Sequence, residues 1–410
     1  MAFAPEEFRK RTRFVVKLGR ALHDCGASSE RIELHLTNVT RMLGLHGSFL
    51  ISPTTFTCAF WEEDELDQFV HIERTEPASY KLGKLWEIDR MVEAIEDDKM
   101  DFATGIEKLK ELTAAPPTFS PAMNAFAMAL TGAGFAALLS PNPLDGIAAA
   151  IASLLLFAGV HWSSLTPRWK PVTPILAALI AGLTAGAIAS LGVPINPPFV
   201  ILSSIIIFIP GLAFTVALTE ISTGHLISGS SRLVDGAMTL LKLFFGAISG
   251  VAISSFLLQS SPNLAWSLPD LPEWRTWVAV VVLSLGLGIA FDIPWKKMPW
   301  GLLAAIMAFV SASIAQSYFG IPVGVFVGAL AVGLFSNLFA RITRGPGSIL
   351  MIYGIILLVP GSKIYSLLNQ WVSGEIMLPY ESGGKALMAL ISLTAGLLFS
   401  NALLPPRKSL

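Results

Sequence analysis

Cysteine is nearly absent from this chain, and charge is thin. Of 410 residues two are cysteine, Cys25 and Cys58, and 14% are charged. Two cysteines without metal or redox spacing exclude a disulfide scaffold and a zinc site. One disulfide can be drawn on paper; two reduced core thiols are the expectation. A formal net charge of −1 leaves no basic surface for nucleic acid. No His/Asp/Glu cluster has the spacing of a metal site or an activated nucleophile, so no catalytic residue, metal or cofactor is assigned. The pair His23 and Cys25 sits two apart, and such positions on a helix do not face each other. The N-terminus, MAFAPEEFRKRTRF, lacks an apolar core, so no cleaved signal peptide is expected.

What is abundant is apolar. The chain is 53% hydrophobic with a mean hydropathy of +0.64, which excludes an ordinary soluble domain. The charge is also unevenly spread. Residues 1–115 hold 15 Lys/Arg and 21 Asp/Glu, and the remaining residues only 13 and 8. A slightly acidic soluble region therefore precedes a membrane region.

In the soluble region, Phe8, Val15, Leu18 and Leu22 give a helical period over 5–24. Gly26 ends that helix, and Ser28 or Ser29 can cap the next. The second helix carries Ile32, Leu36, Val39 and Leu43, and Gly44 stops it. Then the period changes to two: GSFLIS, TTFTCAFW and DQFVHIER read as strands. Helices near 80–98 and 101–113 complete a small α+β domain, 1–115. Pro-rich residues 116–121 link it to the membrane region.

Apolar runs of about twenty residues, each long enough to cross a bilayer, then recur. Ten are read, near 122–140, 144–163, 173–191, 198–219, 234–258, 274–292, 299–317, 321–340, 348–371 and 384–404. With the N-terminus inside, the cytosolic loops hold Arg168, Lys170, Arg232, Lys296, Lys297, Arg341 and Arg344, and the tail 405–410 holds Arg407 and Lys408. The outside loops hold only Arg275 and Lys385 among acidic residues. This asymmetry places both termini in the cytosol.

The runs repeat. FIPGLAFTVALTEISTG (208–224) aligns with LVPGSKIYSLLNQWVSG (358–374) at a shift of 150; ILAALIAGL (175–183) matches FVGALAVGL (326–334) at 151; DGIAAAIASLLLF (145–157) resembles WGLLAAIMAFVSA (300–312) at 155. Two five-span halves result, 122–258 and 274–404, joined by an extracytoplasmic loop, 259–273. Because five is odd, the second half inserts upside down. The expected fold is thus a polytopic α-helical membrane protein of ten spans in a 5+5 inverted repeat, behind a small α+β domain. Inverted repeats recur in secondary transporters.

The repeat also locates the candidate site. Pro210–Gly211 and Pro360–Gly361 fall about twelve residues into the fourth span of each half, near the bilayer midplane. Proline removes a backbone donor and glycine allows a bend. Each break starts a new helical segment whose positive end suits a carboxylate. Such kinks also occur without any ligand; their repetition at equivalent positions favours a binding role. Polar side chains lie just beyond: Thr215, Thr219 and Glu220 in the first half, and Ser362, Lys363, Asn369 and Gln370 in the second. Intramembrane ionisable groups mark function. Lys363 pairs with an anionic partner or substrate, or snorkels to the interface. Glu220 carries a coupling proton, or is a solvated cap; coupling or gating is assigned to Glu220 and Lys363. Asn337 and Asn401 read as helix–helix hydrogen bonds.

The first helices, LGRALHDCGASSERIELHLTNVTRMLG, resemble the N-terminal domain of the threonine/serine exporter family. The matching residues are Gly26, Ala27, Arg31, Glu33 and Gly44, with PTT at 53–55 before a strand. The resemblance implies a cytosolic region before ten spans, in a single chain of two homologous halves, and export of threonine and serine. It also implies a bacterial inner-membrane location. A succinate-like dicarboxylate is the alternative substrate, since separate-subunit relatives are described as succinate exporters. A channel is the alternative from another class, although no charge ring or filter-like run is present. The expected partners are a small-molecule substrate, protons and the lipid bilayer; a homodimer is one option.

Overall fold

The structure, a computed structural model, describes residues 5–61, 68–77, 80–97, 99–259, 273–343, 347–358 and 379–405. The N-terminal region runs α1 (Pro5–Asp24), α2 (Ser29–Met42), β1 (His46–Ser52), β2 (Thr55–Trp61), β3 (Phe69–Arg74), α3 (Leu82–Glu96) and α4 (Phe102–Ala114). The helices and strands fall where the periods place them. Gly26 and Gly44 end α1 and α2 at φ +88° and +71°, a region that glycine enters without strain. The strands form an antiparallel meander, β1-β2-β3, with Phe49 opposite Cys58 and Cys58 opposite His71. Alternation turns Phe56, Cys58 and Phe60 inward, onto Leu18, Leu22, Ile32 and Leu36 of the first two helices.

That core does not stop at the domain. It continues into the helical bundle through Leu212, Ile293, Phe339, Ile349 and Tyr353. Trp86 of α3 packs on Phe339, with Lys297 Nζ 4.2 Å above its ring. The Leu82 amide donates to the Phe291 carbonyl, at 3.0 Å. The linker is pinned too: the Thr118 amide donates to Asp292 Oδ1 at 2.8 Å, and Phe119 stacks edge-on against Trp295. Asp292 follows the end of the helix over 273–290, in the left-handed region at φ 59°.

The bundle comprises α5 (Pro121–Leu139), α6 (Pro143–Ser164), α7 (Thr173–Ser190), α8 (Pro197–Ser204), α9 (Gly211–Ser222), α10 (Leu226–Leu258), α11 (Glu273–Ala290), α12 (Met298–Phe319), α13 (Ile321–Thr343), α14 (Gly347–Leu358) and α15 (Pro379–Leu403). Among the described residues, seven helices are long and apolar enough to cross a membrane, or eight if the bent pair α8–α9 is one span. Helices over 274–290 and 349–358 are apolar but shorter. Ten spans were expected, so the count differs. The fourth run is not one helix but two, bent by 56°. The fifth starts at Leu226, not near 234, and the ninth runs into residues outside the described set.

Small residues let these helices touch backbone to backbone. On α10, a Cβ at Gly250 would lie 2.7 Å from the Leu183 nitrogen and 2.9 Å from the Gly182 Cα of α7. On α15, Gly396 meets the Phe326 carbonyl and Leu330 nitrogen of α13 in the same way.

Gly250→Val should therefore cost about 1–3 kcal/mol, because backbone atoms cannot move aside. Gly384→Ala should be neutral or slightly stabilising, since among the described residues nothing lies within 4 Å of a Cβ there. Melting of the purified full chain compares the two. Cys25 and Cys58 are free and buried, and burial raises their thiols to about 11 and about 12. Both stay protonated at neutral pH, so maleimide should label neither until the chain is denatured.

Candidate functional site

Everything in the site is arranged around α9. The chain reaches it through a break: α8 ends at Ser204, one 3-10 turn covers Ile206–Phe208, and α9 begins at Gly211 with Pro210 as its N-cap. Proline forces the preceding residue out of the helical region, and Ile209 is accordingly extended, at φ −68° and ψ 121°. The break therefore spans 205–210, wider than the Pro-Gly pair alone. All eight residues of α8 are buried, as are Ile205 and Ile209 of the break, whereas Ile206, Ile207, Phe208 and Pro210 are half-buried.

Two cavities flank α9. The first, about 200 Å³, opens at the break, where Ile206, Phe208, Pro210 and Gly211 face Phe135 and Leu287. Its lining is almost wholly apolar, with Tyr80 of the N-terminal region among the residues around it. The second, about 140 Å³, shares Leu212 with the first and sets polar side chains among apolar ones. Thr215, Thr219 and Glu220 of α9 line it, with Glu30 and Arg31 of α2, Asn337 of α13 and Asn401 of α15. The spacing of 215 and 219 puts both threonines on one helix face. Each hydroxyl donates to the carbonyl four residues back, Gly211 and Thr215, and keeps its lone pairs. Asn337 Nδ2 donates to Asn401 Oδ1 at 3.0 Å, joining α13 to α15 as expected.

Glu220 is the most committed group in the site. It is 1% exposed. Arg232 of α10 grips it with both arms of the fork, Nε to Oε2 at 3.2 Å and Nη2 to Oε1 at 3.3 Å. Ser228 Oγ donates to Oε2 at 2.9 Å, and the Ser29 backbone N–H donates to Oε1 at 2.9 Å. That last bond matters for architecture. Ser29 opens α2, and Ser28, the N-cap, makes no side-chain cap of its own. A carboxylate 191 residues away in sequence does the capping instead, at the positive end of the helix. Nearby, Thr223 Oγ1 donates to Glu30 Oε2, and His225 Nε2 pairs with Glu33 Oε2, each at 3.2 Å. The first turns of α2 are thus tied to the α9–α10 corner, where Gly224 takes φ +90°.

Of the residues singled out by sequence, Pro210 and Gly211 border the apolar cavity, and Thr215, Thr219 and Glu220 border the polar one. Pro360, Gly361, Ser362, Lys363, Asn369 and Gln370 lie outside the described residues. Sequence reasoning did not assign Glu30, Arg31, Ser228 or Arg232 to a site. Arg31 stood out only as part of a family-like helix, and Arg232 only as a loop charge. Their partners lie in another part of the chain, and no local spacing shows that.

Comparison with known proteins bears on the whole chain. The threonine/serine exporter family model matches residues 13–254, and a second model, described as "Threonine/Serine exporter, ThrE", matches 276–403. Pheromone-regulated membrane protein 10 of Candida albicans (strain SC5314 / ATCC MYA-2876) is 24% identical over 365 residues, covering 86% of this chain and 32% of that protein. The protein of that name from Eremothecium gossypii is 22% identical over 365 residues, covering 86% of this chain and 48% of its own. The chain therefore spans about a third to a half of the length of the curated relatives it matches. No solved structure matches it.

Glu220→Ala should leave the Arg232 guanidinium unpaired in a site where it is only 14% exposed, costing about 3–5 kcal/mol. It should also remove the cap of α2 and speed protease cleavage in the 115–120 linker. Adding Arg232→Ala should restore part of the loss, so that the two substitutions are not additive in a melting experiment.

Proposed function

The chain belongs to the threonine/serine exporter family, and we propose that it is a secondary active exporter of small carboxylate-bearing metabolites, threonine and serine first among them, coupled to protons. The observation that carries this reading is the small polar cavity beside a broken helix. A small space walled by threonines, asparagines, Glu30, Arg31 and Glu220 among apolar side chains suits a small polar solute rather than a lipid or a drug-sized molecule. In this proposal the threonine face of α9 holds substrate, and the bend at Pro210–Gly211 is the hinge that exposes it to one side or the other. Pro360, Gly361, Ser362, Lys363, Asn369 and Gln370 would supply the corresponding elements in the second half.

We also infer ten spans in two inverted halves. The two shorter apolar helices, 274–290 and 349–358, support this, since each falls within one of the apolar runs. Packing supports it as well. α7 meets α10 as α13 meets α15, with Leu179 and Leu183 in the places of Phe326 and Leu330, a shift of 147. That shift is one helical turn short of the 151 read from sequence. The excess of Lys and Arg in alternate loops supports cytosolic termini. Glu220 is the proton-coupling candidate, although its four protein contacts first have to open. A dicarboxylate substrate is the second reading; its argument, Lys363, lies outside the described residues. No specific feature favours a channel.

Purified full chain in liposomes should exchange labelled threonine or serine for unlabelled substrate placed inside, and an opposing pH gradient should change the rate. Absence of exchange with threonine, serine and succinate alike would remove the exporter reading.

A further inference from the structure

The arginine in the polar cavity has no acid. Arg31 lies in the first turn of α2, beside the capped N-terminus, and borders the cavity directly. Its guanidinium donates to a thioether, Met351 Sδ, at 3.6 Å. Among the described residues no carboxylate lies within ion-pair distance of it. Burial pushes the guanidinium below its usual pKa, and the neighbouring Glu30 only partly offsets this. The side chain is half-buried and stays charged at any working pH, so it presents an unpaired guanidinium to an anionic group entering the cavity. Glu220, the nearest acid on α9, is not that partner, because Arg232, Ser228 and the Ser29 amide already occupy it.

Glu30 supplies the opposite sign in the same cavity. One of its oxygens accepts from Thr223; the other has no donor among the described residues. The Asn401 amide nitrogen likewise has no acceptor among the described residues, since only its oxygen is used, by Asn337. The uncommitted groups are thus one cation, one anion and one neutral donor, with threonine lone pairs opposite them. At about 30 Å³ per water, the cavity volume of about 140 Å³ holds roughly five waters, the scale of one small solute.

We propose that this cavity is the binding site for a small zwitterionic 2-amino acid, with Arg31 taking the carboxylate, Glu30 the ammonium, and Thr219 or Asn401 a side-chain hydroxyl. The proposal rests on the exporter reading for its physiological meaning, and deepens it in two ways. First, the N-terminal domain is a wall of the site: its α2 supplies both charged ligands. Second, the charge pattern selects against a dicarboxylate, whose second carboxylate would face Glu30 without a partner. Arg31 is suited to the task because its planar fork matches a carboxylate in two parallel hydrogen bonds.

The test uses full-length protein in two measurements, counterflow in liposomes and calorimetric binding in detergent, each with threonine and with succinate. Arg31→Gln should weaken threonine binding and raise the counterflow KM roughly 10- to 100-fold, the worth of the charge-assisted bonds lost. Arg31→Lys keeps the charge but not the fork and should fall between; it carries the test if Arg31→Gln does not fold. Glu30→Gln should weaken threonine and improve succinate relative to wild type. If wild type exchanges threonine and none of these substitutions changes KM or binding, the cavity assignment is overturned while the exporter reading stands. If wild type exchanges nothing, the exporter reading falls. Calorimetry then decides the site alone: threonine binding lost in Arg31→Gln upholds it, and binding absent in wild type or unchanged in the variants overturns it.

Discussion

A carboxylate buried among apolar helices governs how this molecule is put together. Isolated, the Glu220 charge would be prohibitive, and it survives only because its oxygens are fully engaged. Meeting that demand takes a guanidinium from α10, a hydroxyl from α10 and a backbone amide from α2. The first two come from the neighbouring helix. The third comes from the N-terminal domain, which is thereby fixed in orientation as well as in position. The benefit is mutual, because α2 has no cap of its own. Separating the domain from the bundle would remove one hydrogen bond from the buried carboxylate and leave the start of α2 without its cap.

The position of α9 is set by the break before it. Pro210 cannot continue a helix, and the extended Ile209 redirects the chain by the 56° bend. The bend gives α9 two unlike faces. Its start, with Gly211 and Leu212, borders an apolar space, and its later turns, with Thr215 and Thr219, border a polar one. A straight helix through the bundle would have no such division at this point. The break and the buried acid therefore act together: one tilts the helix, and the other anchors its far end to α2.

Much of this was legible in sequence where the signal is local. Period-two alternation in TTFTCAFW located β2, and Gly26 and Gly44 marked two helix ends, because each reports on its own neighbours. Pro210 placed the break, but not its width, since the 3-10 turn at Ile206–Phe208 carries no breaker residue. The site was half-readable for the same reason. Thr215, Thr219 and Glu220 share a helix with the break, so their polarity showed in an apolar run. Arg31 and Arg232 could not be joined to them, since only the fold brings together positions so far apart in the chain. The register of the proposed repeat shows a subtler limit. In Ala/Gly/Leu-rich helices a slip of four residues keeps the same face and nearly the same residue types, so sequence similarity cannot tell 147 from 151.

The distribution of satisfied and unsatisfied charge carries the functional reading further than polarity alone. Two arginines enter the same corner from different elements. Arg232 meets a carboxylate of the protein in bidentate geometry and becomes structural. Arg31 meets only a thioether, on the wall of a cavity. Half-burying a guanidinium with no acid in ion-pair distance among the described residues adds nothing to stability. The arrangement makes sense where the missing acid arrives from outside and leaves again. An exporter needs that property: a site whose charges are complementary to its solute when occupied, with Glu220 already committed to Arg232 and so not competing for the second cation.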